Sequence, residues 1–138
     1  VVIRPIYGDT DAMGVVYYAN YFRWFEVGRN ELCRAMGYPY SQWERDGVTL
    51  PAVEASCRYK SPARYDDLLE LETRLEAVDD FSVSFSYVLR NAETGKVLAV
   101  GRTKHAFCGR DGRLIRRPPK VWEALSKALE EGDDGVGV

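Results

Sequence analysis

Two aspartates separated by a single residue, Asp9 and Asp11, lie in the run Y-G-D-T-D-A-M-G-V-V-Y-Y from Tyr7 to Tyr18. Gly14 follows Asp11 by three residues, and an aromatic-rich segment with helical spacing begins at Asn20. A helix start offers unpaired backbone N–H groups and a partial positive charge. A carboxylate beside such donors can act on a carbonyl carbon whose oxygen the donors polarise. Hydrolysis at a carbonyl is the first chemistry this spacing suggests.

Three other readings of D-T-D-A-M-G compete. The pattern opens like an EF-hand calcium loop, but its fifth position is Met13 and its twelfth is Asn20, where a bidentate Glu is required. An aspartyl-phosphate phosphatase signature, D-x-D-x-T/V, fails at Met13 and belongs with repeated βαβ units, which this chain lacks. The third reading is structural: both aspartates form an Asx-turn or cap the helix. It suits Asp9 better than Asp11. Gly14 permits close backbone approach, and Val15-Val16-Tyr17-Tyr18 is too apolar for an ordinary solvated cap.

The remaining chemistry-bearing residues are few. Cys33, Cys57 and Cys108 are far apart, without a C-x-x-C pair, so they read as free thiols rather than a zinc site or a disulfide framework. His105 is the only histidine, set mid-strand between Lys104 and Ala106, and reads as a structural residue. A net charge of -2 argues against a protein that coats nucleic acid. No apolar run nears the roughly 18 residues of a membrane span, and the start carries no leader pattern. The expected location is cytoplasmic.

The elements that must position Asp11 follow from periodicity. Val1 to Tyr7 suits an edge strand interrupted by Pro5. From Asn20 to Met36, Tyr21, Phe25, Gly28, Leu32 and Met36 share a helical stripe with Trp24 and Ala35 beside it, and Gly37 and Pro39 supply the stop. Ser41-Gln42-Trp43-Glu44 resembles a capping box for a short second helix ending near Gly47. The period then becomes two. Val53, Ala55, Cys57 and Tyr59 mark one face of a strand; Leu69 to Ala77 and Phe81 to Leu89 repeat the alternation, and Val97 to Cys108 forms another long strand. Gly109-Arg110-Asp111-Gly112 is a hairpin signal before Leu114 and Ile115, and Lys120 to Glu131 reads as a last helix. The class is α+β, with an antiparallel meander that curls around one long helix. Residues 1–131 form a single domain, and 132–138 a flexible C-terminal tail.

The run Y-x-D-T-D-x-x-G-V-V-Y-x-x-x-Y-x-x-x-x-E-x-x-R closely resembles the signature of hotdog-fold acyl-CoA thioesterases, in the 4-hydroxybenzoyl-CoA thioesterase and YbgC-like group. A second block, R-Y-K-S-P-A-R-Y-D-D from Arg58 to Asp67, is similar to that family's strand-to-loop segment. The likeness runs from about Tyr7 to Pro119.

The resemblance implies a sheet wrapped around the Asn20–Met36 helix, protomers joined edge to edge, and dimers that commonly pair into homotetramers. It implies hydrolysis of a small or medium acyl-CoA, aromatic acyl groups included, without metal or cofactor. Its catalytic aspartate carries over to Asp11, as general base or nucleophile. Tyr18 stands seven positions on, with its backbone N–H toward the thioester oxygen. Gly14, Val16, Asn20 and Tyr21 are the implied substrate-side residues. Asp79-Asp80 occupies the place of the hydroxybenzoyl enzyme's basic residues, so CoA phosphates must find other cations: Lys60 and Arg64 in the loop, or Arg113 and Arg116 near the end. Two alternatives are carried forward: a dehydratase, which would need His105 near Asp11, and a module that binds acyl-CoA or acyl carrier protein without turnover.

Overall fold

A long amphipathic helix lies across one face of a five-stranded antiparallel sheet in the computed structural model, which describes residues 1–132. The elements are β1 (Val2–Ile3), α1 (Asn20–Ala35), α2 (Tyr40–Arg45), β2 (Ala52–Tyr59), β3 (Leu69–Val78), β4 (Ser82–Asn91), β5 (Val97–Ala106) and α3 (Pro119–Glu131), with a single 3-10 turn at Tyr7–Asp9. The sheet order is β1-β3-β4-β5-β2. Apart from Gly132, the proposed tail lies outside the described residues.

Alternation on β3, β4 and β5 supplies the inner face. Leu75, Phe85 and Thr103 stand side by side in register, as do Thr73, Tyr87 and Gly101, then Leu71, Leu89 and Ala99. Tyr21, Trp24, Phe25, Gly28, Leu32 and Cys33 of α1 are buried against them. Two glycines set the depth of this contact. A Cβ on Gly28 would meet Thr73 Oγ1 at 2.1 Å, and one on Gly101 would meet the Phe25 ring at 2.4 Å. With both bare, Phe25 slides in and stacks on Tyr87, centroids 4.2 Å apart.

Several local expectations need correction. Ser41 does not cap α2: Pro39 is the cap residue, with no side-chain bond, and Ser41 lies inside the helix. Ala35 is exposed, since the helix ends there and Gly37 turns away at φ +78°. The largest departure is β2. Val53, Ala55 and Tyr59 alternate as an inner face should, yet β2 is an exposed edge on which only Cys57 is half-buried. Alternation reports which side chains share a face, not whether anything covers that face. The final strand stops at Ala106, and the chain continues through single bridges, Thr49 to Cys108 and Cys108 to Leu114.

Candidate active site

Asp9 is the hub on which the acidic loop is built. It is buried; its carboxylate accepts the Ile6 N–H at 2.9 Å and the Arg23 guanidinium at 2.5 Å. Its carbonyl accepts the Tyr17 N–H at 2.8 Å and the Asn20 side-chain amide at 2.9 Å. One residue thus fastens the incoming chain, the returning chain and the first turn of α1. The structural role expected of Asp9 is what its contacts show.

Between these anchors the chain makes a tight excursion. Thr10 bridges Val16, the Asp11 N–H donates to Val15 O at 2.9 Å, and Gly14, at φ +78°, donates to Asp11 O at 3.0 Å. The left-handed angle at Gly14 is why that position favours glycine. Asp11 rides at the tip. It is exposed, and its Oδ1 accepts the Met13 N–H at 2.8 Å. Oδ2 has no hydrogen-bond donor among the described residues.

The second sequence block docks directly onto this excursion. Val16 is buried and donates to Ala63 O at 2.8 Å, Val15 bridges Arg64, and Tyr7 stacks on Tyr65 at 3.8 Å. The Tyr21 hydroxyl accepts the Ala63 N–H at 3.3 Å, and the Tyr59 hydroxyl donates to Tyr18 O at 2.9 Å. Asn20 and Tyr21 therefore spend their polar groups on the scaffold. Burial, with Cys57, Tyr21 and Tyr18 adding to it, pushes the Tyr59 hydroxyl well above the usual tyrosine range, so it remains a donor.

α1 begins without a side-chain cap, Ala19 being its N-cap. Among the described residues the N–H groups of Tyr18 and Ala19 have no acceptor, whereas the flanking Tyr17 and Asn20 are satisfied by Asp9 O and Tyr17 O. Two adjacent uncommitted donors at a helix start form a ready-made anion site. They lie one short strand-return from Asp11. The Tyr18 side chain is 60% exposed and rests against Tyr17 and Tyr59, which leaves its backbone N–H as the uncommitted polar group.

The cation candidates divide. Lys60 and Arg64 lie in the loop that packs on the acidic excursion, and neither side chain forms an ion pair among the described residues, although the Arg64 N–H donates to the Asp67 carboxylate. Arg113 and Arg116 lie at the opposite end of the sheet, about 30 Å away at some 3.3 Å per strand residue. There Arg113 faces Asp111, while Arg116 and Arg117 converge on Asp80 and hold its carboxyl below the usual range. Arg117 also lies over the Trp122 ring. The acidic β3–β4 turn thus gathers cations that the sequence places thirty-odd residues later.

His105 is at that far end too, registered opposite Ala52 and Val83. It closes a hydrogen-bond chain that sequence reasoning missed. The Arg29 guanidinium donates to the Tyr87 hydroxyl at 3.2 Å, and that hydroxyl lies 2.6 Å from Thr103 Oγ1. Thr103 Oγ1 is 2.9 Å from His105 Nε2, and His105 Nδ1 is 3.1 Å from Leu50 O. Arginine can only donate and a carbonyl can only accept, so every intermediate proton is assigned: Tyr87 donates to Thr103, Thr103 to Nε2, and Nδ1–H to Leu50. Burial, with Arg29 nearby, lowers His105 to about 4, which keeps it neutral. Within one chain it does not approach Asp11, as a dehydratase pair would require. Among the described residues no three His, Cys, Asp or Glu side chains converge as a metal site would need.

The model of the thioesterase-like superfamily matches residues 7–129. The 4-hydroxybenzoyl-CoA thioesterase of Pseudomonas sp. strain CBS-3 is 32% identical over 124 residues, 82% of this chain and 84% of that protein. The acyl-CoA thioester hydrolase YbgC of Escherichia coli O6:H1 is 34% identical over 91 residues, 66% of this chain and 68% of that protein. Among solved structures, the DHNA-CoA thioesterase of Staphylococcus aureus superposes with a TM-score of 0.89 at 29% identity, covering 98% of this chain and 95% of that one.

Proposed function

This chain belongs to the thioesterase-like superfamily, has the hotdog fold, and on that premise we infer that it is an acyl-CoA thioesterase using Asp11 and the backbone at the start of α1. The observation that carries the reading is the pair of uncommitted N–H groups at Tyr18 and Ala19, next to a loop whose carboxylate keeps one oxygen free.

The thioester oxygen accepts from the Tyr18 and Ala19 N–H groups, which stabilise the charge that grows on it. Asp11 acts by one of two routes. As general base it takes a proton from water as the hydroxide adds to the carbonyl carbon. As nucleophile it adds directly, giving a mixed anhydride that water then opens. In both, the C–S bond breaks, the CoA thiolate leaves and is protonated, and the free acid remains. Gly14 and Val16 keep the loop backbone close to the acyl group. Asn20 and Tyr21 hold the wall behind it. Lys60 and Arg64, on the same side as Asp11, serve the CoA phosphates better than Arg113 and Arg116 can within one protomer.

The exposed length of β2 supports a homo-oligomer joined edge to edge there, as a dimer or a tetramer of two dimers. No helix among the described residues is long and apolar enough to cross a membrane; a cytoplasmic enzyme fits this reading. The substrates proposed are small or medium acyl-CoA esters, aromatic ones included.

Release of free thiol from a panel of acyl-CoA esters tests the assignment. Wild-type protein releases CoA, and Asp11→Asn lowers kcat by at least about 100-fold, the scale of a lost general base. Near-normal turnover by that variant removes Asp11 from the chemistry. Binding without thiol release by the wild type would favour the acyl-thioester-binding module instead. Sedimentation at the mass of a single chain would remove the edge-paired oligomer.

A further inference from the structure

The E-x-x-R motif at the end of the first sequence block finishes on Arg29, and the reaction above makes no use of it. Arg29 lines a cavity of about 300 Å³ together with Glu26, Cys33, Leu50, Phe85 and His105. That is near the lower limit for small-molecule pockets.

Its electrostatics are unusual. Glu26 stands three residues back on α1, the spacing of a helical ion pair. Yet Arg29 forms no ion pair among the described residues, while Arg34 and Glu31 in the next turn do. Arg29 is half-buried, and among the described residues its guanidinium makes one hydrogen bond, to the neutral Tyr87 hydroxyl. The groups bonded behind it cannot neutralise it: Tyr87, Thr103 and His105 are committed to one another and to Leu50 O. Glu26 and Glu44 also line the cavity, at exposed positions where water screens them. A cation drawn partly out of water, with donors to spare and no ion-pair partner among the described residues, favours an anionic ligand. Guanidinium geometry matches a carboxylate two bonds at a time. Phe85, Leu50 and Cys33 provide apolar wall for a few carbons beside it.

The geometry points to this cavity as a pocket for a small carboxylate clamped by Arg29. Resting on the thioesterase reading, that carboxylate is the far end of the acyl chain, which makes ω-carboxyacyl thioesters the favoured substrates. Within one chain Arg29 is about 16 Å along α1 from Tyr18, at 1.5 Å per residue. A short acyl chain therefore reaches both only across the β2 edge. An antiparallel pairing of two β2 strands in full overlap would bring the Ala52 end of one, beside Leu50 and His105, to the Tyr59 end of the other. The same pocket chemistry would also accept a free carboxylic acid.

Two measurements separate these sources. The first compares kcat/KM for ω-carboxyacyl-CoA esters of increasing length with straight-chain acyl-CoA esters of the same carbon number. The expected preference for the carboxylated ester is about 10- to 100-fold at the best length, the worth of a charged hydrogen bond. That ratio falls toward one in Arg29→Gln and is largely kept in Arg29→Lys. The second is calorimetric titration with glutarate, with saturable binding in the wild type and none in Arg29→Gln. Glutarate binding without substrate preference assigns the pocket to a free acid. Absence of both preference and binding overturns the pocket. Should no ester release thiol, the thioesterase reading fails, and the glutarate titration alone decides the pocket. Should Arg29→Gln not fold, the wild-type ratio and titration decide it.

Discussion

Gly28 of α1 rides so close to Thr73 of β3 that a Cβ at position 28 would stand 2.1 Å from Thr73 Oγ1. That hydroxyl is itself buried, with no hydrogen-bond partner among the described residues. Gly28→Ala should destabilise the protein by about 1–3 kcal/mol through overpacking, despite the roughly 1 kcal/mol by which alanine favours a helix. Thr73→Ala removes the obstructing oxygen, so the double variant should recover much of the loss. Urea denaturation of the four proteins in the cycle measures the coupling. A Gly28→Ala protein as stable as the wild type would show that the helix does not sit this close.

Asp9 and Asp11, two residues apart, should separate cleanly on substitution. Asp9→Ala removes the acceptor of the Ile6 N–H and the partner of Arg23. It should cost about 1–3 kcal/mol and lower activity by displacing the loop. Asp11→Asn keeps an oxygen for the Met13 N–H, so its melting temperature should stay close to wild type while turnover collapses. A large fall in Tm for Asp11→Asn would mark that residue as structural.

Thr103 links the two halves of the buried hydrogen-bond chain. Thr103→Val keeps the shape but leaves the Tyr87 hydroxyl without an acceptor and His105 Nε2 without a donor. The expected cost is about 1–3 kcal/mol for each group left unsatisfied. Thr103→Ser, which restores the hydroxyl, should recover most of it. Equal melting temperatures for valine and threonine would contradict the chain.

The same chain makes stability depend on pH. Burial holds folded His105 at about 4, below its ordinary 6.5. Between these values the unfolded chain binds the proton and the folded one does not, so stability rises with pH across this window. The contribution is complete above about 6.5 and is lost as pH falls through 4, amounting to of order 3 kcal/mol. Unfolding free energies measured from pH 7 down to pH 4 should show the slope. His105→Asn should flatten it; an unchanged slope in that variant would clear His105 of the effect.

Much of this was legible before any coordinates. The stripe of Tyr21, Phe25, Gly28 and Leu32 marked α1 because a helix buried on one side repeats its apolar residues every three or four positions. The spacing from Asp11 to Gly14, and on to the start of α1, pointed to the proposed site because such chemistry is local in sequence. Exposure of β2 was not legible, since its apolar alternation is the same whether a helix, a second chain or water faces it. Nor was the cluster at Asp80, whose arginines arrive from residues 116 and 117.

What the sequence determined alone was therefore everything carried by short-range pattern: the helix, the meander of strands, the turn glycines, and the carboxylate ahead of a helix start. What only the tertiary structure decided was everything joining residues distant along the chain. Arg29, Tyr87, Thr103, His105 and Leu50 become one directed hydrogen-bond chain only when α1 is laid on the sheet. Asp9 and Asp11 look alike as letters, and they part company because one meets Arg23 in the interior while the other is left at the tip of a turn. Periodicity encodes which way a side chain points; register and packing choose what it meets.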